Sequence, residues 1–235
     1  MLTSSRRPQM ATPAALKSQV RCRRVARPAR ARRLPAACMP DRPSTPLAEE
    51  AAAGATALLI IDMLSDWSAP EVHALRDATL KVAPAVADLK RRCVQAAVPV
   101  IYANDNHGRW RSDFREVVRS AHDSGGPGAG IARLLEPGPE DYFVLKPKHS
   151  AFFSTPLDLL LQHLEARRLL LAGVAADQCV LATAADALMR DYRVEVVADG
   201  IAAPTPQRLD AAFRHFAGVM RVPVRCAAEI GLPGR

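Results

Sequence analysis

Three residues far apart in the sequence, Asp62, Lys146 and Cys179, are of the types that make a hydrolytic centre if they meet. A thiol becomes a nucleophile when a base takes its proton and a cation holds the resulting thiolate. Asp62 would accept the proton and return it to a leaving group. Lys146 would hold both the carboxylate and the sulfur in place. Singly, each residue has a plainer reading. Free cysteines are commonly small buried hydrophobes, and an Asp or Lys closing a strand is often a cap or a solvated end. Cys179 gains weight from its position. It opens a predicted helix, Cys179–Met189, six residues after Gly173, where the positive end of the helix dipole favours a thiolate.

The elements that would position these residues follow from hydrophobic periodicity. Ala57–Ile61 is a continuous apolar run that ends at Asp62 and reads as a strand buried on both faces. Val98–Tyr102, Tyr142–Leu145, Leu169–Ala172 and Val194–Val197 read as further strands, with a short last one at Val222–Arg225. Helical patterns lie between them: Ala74–Ala97, bent near Pro84; a face of Leu157, Leu160, Leu161 and Leu164; Cys179–Met189; and Pro206–Ala217. Asn104–Pro139 reads as a long polar excursion, and its Gly125–Gly130 stretch as a flexible segment in which no helix runs.

This alternation predicts an α/β fold, a three-layer α-β-α sandwich around a mostly parallel sheet. Ligands of such sheets bind outside the carboxyl ends of the strands. Asp62, Asn104–His107, Lys146 and Gly173–Cys179 each follow a predicted strand, so the rule brings them to one edge.

Three motifs resemble those of the isochorismatase-like cysteine hydrolases, a superfamily that includes nicotinamidases and N-carbamoyl amidohydrolases. They are Leu58-Leu-Ile-Ile-Asp-Met63, Lys146-Pro-Lys-His-Ser-Ala-Phe152, and Gly173-Val-Ala-Ala-Asp-Gln-Cys-Val180 followed by Thr183-Ala-Ala-Asp-Ala187. The resemblance spans about Ala57 to Ala227. It selects Lys146 over Lys148, because the family lysine stands four residues before Ser-Ala-Phe. It implies a cis peptide between Val174 and Ala175, and an oxyanion hole made by the backbone N–H groups of Ala175 and Cys179. It also implies a homo-oligomer. One departure is Ala176, where the family usually has Thr.

Nicotinamidases of the superfamily place Asp-x-His metal ligands after the second strand, and Asp105-Asn-His107 stands at that place, with His122 further on. The continuation Gly108-Arg-Trp-Arg lacks the proline-rich character of the metal-binding type. The expectation is therefore no metal and no cofactor. Trp67, Trp110 and Phe152 are candidate pocket walls, and His149 reads as a loop residue.

The reading that follows is hydrolysis of a small molecule at an amide or related C–N bond, through a thioester on Cys179. Alternatives are the isochorismatase-type vinyl-ether hydrolysis, which relatives lacking the thiol perform, and a non-catalytic binding protein on the same fold.

Composition sets the remaining bounds. The chain has 235 residues, 49% of them hydrophobic, enough for one domain of about 51–235. The formal charge of +8 belongs to its start: residues 1–40 hold ten of the 32 basic residues and none of the 24 acidic ones. The rest is slightly acidic and gives no electrostatic reason to bind nucleic acid. No apolar run reaches the ~18 residues of a membrane span. Residues 1–50, rich in Arg, Ala and Pro, are expected to be disordered. Three readings stay open for them: a transit peptide, a basic arm, or an over-extended start with Met39 as the true first residue. Five scattered cysteines without a C-x-x-C pair suggest neither a disulfide framework nor a zinc site, and a reducing compartment such as the cytoplasm. An organelle is the alternative if residues 1–38 act as a transit peptide.

Overall fold

Ala55–Ile61 forms the first strand, β1, and six of its seven residues are buried. Its side chains alternate between two cores: Ala57, Leu59 and Ile61 enter one, Leu58 and Ile60 the other. A strand can be apolar on both faces only if helices cover both, so β1 dictates three layers. Each fully buried aliphatic side chain contributes about 1.5–3 kcal/mol, which makes this strand a major source of the fold's stability.

The computed structural model describes residues 55–106, 108, 110–111 and 113–233. The expectations for residues 1–50 lie outside this set. After β1 come α1 (His73–Gln95), β2 (Val100–Asp105), α2 (Phe114–Asp123), α3 (Pro127–Leu134), β3 (Tyr142–Lys146), α4 (Leu157–His163), β4 (Ala166–Val174), α5 (Cys179–Met189), β5 (Arg193–Ala202), α6 (Pro206–Arg214) and β6 (Val224–Arg225). The six strands form one sheet in the order β3-β2-β1-β4-β5-β6. All of its pairings are parallel.

Val82, Val86 and Leu89 of α1, Phe114 of α2 and Ile131 of α3 cover one face. Leu157 and Leu161 of α4, Val180 and Ala184 of α5 and Ala212 of α6 cover the other. Among the described residues, no helix is long and apolar enough to cross a membrane. The chain runs outward from β1 to β2 and β3, then returns to β4 on the opposite side of β1. The change of direction opens a crevice at the carboxyl ends of β1 and β4.

Two strand ends meet there more closely than a side chain would allow. Gly173 pairs with Ile61 and has φ +121°. A Cβ on it would lie 2.1 Å from the Ile61 carbonyl oxygen.

The segment Gly125–Gly130 differs from its expectation: α3 starts inside it. Pro127 stands in the first turn, where its missing N–H costs nothing. Gly128 is buried beneath Trp67, whose Cδ1 would lie 2.5 Å from any added Cβ. The glycine there permits close packing, and Ile131 and Ala132 anchor the helix in the core.

Candidate active site

The parallel register lines up the ends of three adjacent strands. Asp105, the last residue of β2, pairs with Lys146, the last of β3. Asp62 follows β1, and its N–H donates to the Ala103 carbonyl of β2 at 3.0 Å. Its own φ of +53° turns the chain off the sheet, a conformation aspartate tolerates better than most residues. Cys179 reaches the same place from the loop after β4, as the first residue of α5.

Two motifs hold each other there. The Ser150 hydroxyl donates to Asp186 of α5, and the Ala151 N–H donates to Thr183 Oγ1 at 3.0 Å. The loop after β3 is thereby tied to the helix that carries the thiol.

The side chains of Asp62, Lys146 and Cys179 meet. Lys146 Nζ lies 2.8 Å from Asp62 Oδ2 and 3.4 Å from Cys179 Sγ, and donates to the Lys148 carbonyl at 3.2 Å. An ammonium has three protons, so these partners account for all of them. Lys146 is fully buried, and Cys179 is 8% exposed. The second carboxylate oxygen of Asp62 accepts from the Asp105 N–H at 2.7 Å. The Asp105 carboxylate lies 3.6 Å from Lys146 Nζ.

Burial raises the Asp62 carboxyl above its ordinary range, and the Lys146 charge and the Cys179 hydrogen bond oppose this without reversing it. Burial alone would press Lys146 down. Asp62, and after it Cys179 and Asp105, hold it above its ordinary value, so it stays charged. Burial and then the Asp62 charge push the Cys179 thiol up to about 12. The thiolate expected at the helix start is therefore not the resting form: burial, and after it the Asp62 charge, keep the proton on sulfur. Moving the proton from sulfur to Asp62 leaves the net charge beside Lys146 unchanged. The buried cation thus serves the site before and after the transfer.

The Val174–Ala175 peptide is cis. The N–H groups of Gln178 and Val180 both donate to the Ala175 carbonyl, and that of Ala176 to Ala202. Among the described residues, neither the Ala175 nor the Cys179 N–H donates to a backbone carbonyl in the turns and caps around the site.

The three aromatic candidates differ in their surroundings. Trp67 is 5% exposed, in the core beside α3. Phe152 is buried against Tyr192 and the Arg190 guanidinium. Trp110 is 81% exposed. His107 lies outside the described residues, and among those described no group of three or more His, Cys, Asp or Glu is arranged to hold a metal ion. The Asp105 carboxylate faces the Lys146 ammonium.

Two residues of the site were not given these roles from sequence. The sequence pattern marks Asp105 only as a candidate metal ligand. His149 reads in sequence as a loop residue, and its Nδ1 lies 3.5 Å from Cys179 Sγ. Its spacing of three from Lys146, across a turn that folds back over the strand end, was the available signal.

The isochorismatase domain model matches residues 56–228. An uncharacterized isochorismatase family protein of Bacillus subtilis is 33% identical over 174 residues, 74% of this chain and 95% of that protein. A probable inactive nicotinamidase of Arabidopsis thaliana is 32% identical over 162 residues, 65% of this chain and 83% of that one. Among solved structures, N-carbamoylsarcosine amidase from Thermoplasma acidophilum superposes with a TM-score of 0.58 at 29% identity, covering 75% of this chain and 98% of that one. The chain belongs to the isochorismatase family.

Proposed function

We propose that the protein is a cysteine hydrolase acting on a small molecule at an amide or related C–N bond, with Cys179 as nucleophile, Asp62 as proton carrier and Lys146 as the fixed charge. The observation that carries this reading is the buried Lys146 ammonium, held within 2.8 Å of the acid and 3.4 Å of the sulfur. A buried ion pair adds little net stability, so its presence beside a thiol is better explained by chemistry.

In the first half-reaction Asp62 takes the thiol proton as sulfur bonds to the carbonyl carbon. The oxyanion is met by the N–H groups of Ala175 and Cys179, each worth about 3–4 kcal/mol in such a role. The C–N bond then breaks as Asp62 gives its proton to the departing nitrogen, leaving a thioester. In the second, Asp62 takes a proton from water while the water oxygen bonds to the acyl carbon. The C–S bond breaks, and the proton returns to sulfur. One water is consumed, and an acid and an amine or ammonia are released. Trp110, exposed in the segment after β2, is the aromatic side chain available to cover a bound substrate.

The name of the Thermoplasma neighbour supports an amidase chemistry. The Arabidopsis relative, named a probable inactive nicotinamidase, argues for testing amides beyond nicotinamide. The test is a panel of small primary amides and N-carbamoyl compounds, with Cys179→Ala as control. Release of ammonia or amine from at least one compound, absent in that variant, is expected. Turnover that survives Cys179→Ala contradicts the reading.

A further inference from the structure

The cation and the acid described above do not exhaust the polar neighbours of the sulfur. His149 Nδ1 stands 3.5 Å from Cys179 Sγ, on the solvent side, since His149 is exposed whereas Lys146 is fully buried. In the reading proposed above the single thiol proton goes to Asp62, whose carboxylate accepts it. Lys146 can only donate, and it does so to the sulfur. The one role left for the imidazole is a second donor, with its proton on Nδ1.

We propose that His149 is a further catalytic residue, which donates an Nδ1–H hydrogen bond to Cys179 Sγ and stabilises the sulfur as it leaves the acyl group in the second half-reaction. This rests on the thioester reading above. Attack by water gives a tetrahedral adduct on Cys179; as its C–S bond breaks, the electron pair goes to sulfur. The resulting thiolate accepts from Lys146 on its buried side and from His149 on its open side until Asp62 returns the proton. No proton leaves His149, and the overall balance is unchanged. The contribution falls mainly on release of the acyl group. In the attack step Asp62 already holds the thiol proton's path, and the negative charge moves from sulfur to the oxyanion.

The neighbouring Ser150 and Ala151 fix this placement. Their bonds to Asp186 and Thr183 of α5 lock the backbone beside His149 to the helix that begins with Cys179. The imidazole therefore meets the sulfur through a braced turn, although the ring itself is open to solvent.

The test uses p-nitrophenyl acetate, a small activated acyl donor, with intact-mass measurement of the acetyl adduct and optical measurement of nitrophenol release. Wild type is expected to show acetyl on Cys179 followed by hydrolysis. His149→Ala is expected to acetylate within about twofold of wild type, but to lose the acetyl group roughly tenfold more slowly, the loss of about one hydrogen bond to a charged group. It should then accumulate the adduct after a burst, with kcat and KM lowered together and kcat/KM nearly unchanged. His149→Asn, which keeps an N–H near the Nδ1 position, should restore most of the release rate. Normal acetylation with unchanged release in His149→Ala overturns this inference alone. Slowed acetylation with normal release also overturns it, by assigning His149 to attack. Absence of any adduct on Cys179 in wild type overturns the thioester reading and this inference with it.

Discussion

The backbone N–H of Asp105 donates to Asp62 Oδ1 at 2.7 Å, which joins the end of β2 to the residue after β1 and leaves the other carboxylate oxygen for Lys146. One oxygen of the acid is thus held by backbone and one by a buried cation. Its direction is set by the sheet rather than by a flexible side chain.

Asp62→Asn removes both the proton acceptor and the charge that helps push the Cys179 thiol up to about 12. Turnover should fall by at least about 10²-fold, the usual scale for a positioned acid–base group. The thiol should at the same time titrate lower than in wild type, because Lys146 then acts on it unopposed. Thiolate ultraviolet absorbance against pH reads the second effect. A thiol that titrates at or above its wild-type position would contradict the assigned electrostatics.

Lys146→Met leaves Asp62 with no cation in a site where Lys146 had no solvent exposure. Removing one partner of a buried pair costs about 3–5 kcal/mol, which chemical denaturation should detect alongside loss of activity. Combining it with Asp62→Asn should recover part of that stability and none of the turnover, since the coupling between neighbours is not additive. Additive losses would show that the two side chains do not interact.

Gly173→Ala should be among the most damaging single changes outside the reacting groups. Its Cβ would meet the Ile61 carbonyl oxygen at 2.1 Å, from a backbone at φ +121°. A loss of about 4 kcal/mol or more, or failure to yield folded protein, is expected. A thermal melt within a few degrees of wild type would be inconsistent with this strand contact.

Alkaline pH should weaken the fold through Cys93. Burial lifts this thiol from an ordinary value near 9.0 to about 12. Between those values the folded chain keeps a proton that the unfolded chain gives up, so stability is fully present below pH 9 and falls as pH rises toward 12. The slope is up to about 1.4 kcal/mol per pH unit. Cys179, raised likewise from 9.0 to about 12, adds to the same window, and Tyr192, raised from 10.0 to about 12, adds to its upper part. Denaturation midpoints from pH 8 to 11 should fall less steeply in Cys93→Ala than in wild type. Equal slopes would contradict the buried, protonated thiol.

The parts legible in the sequence were those fixed by strong local pattern. β1 and β4 are apolar on both faces, and helix α5 begins at Cys179 as its sequence suggests. Asp62, Lys146 and Cys179 could be chosen because each follows a strand and stands at a distinctive motif spacing. Helix α3 was missed because its stability comes from Ile131 and Ala132 packing in the core and from Gly128 fitting beneath Trp67. Its own glycine-rich residues argue against a helix, and tertiary contacts override that preference. The contact of His149 with the sulfur has no local sequence signal beyond the spacing from Lys146, because nothing else local distinguishes an exposed loop imidazole from one folded back onto a sulfur. Only the cross-links from Ser150 and Ala151 to α5 decide it.

The central claim, that Cys179 is a nucleophile made reactive by the side chains around it, is tested most directly by iodoacetamide labelling near neutral pH, followed by peptide mapping. Cys179 should be modified ahead of the fully buried Cys93, and at least tenfold more slowly in Lys146→Met than in wild type. Equal modification of the two cysteines, or a Cys179 rate indifferent to loss of Lys146, would contradict the account.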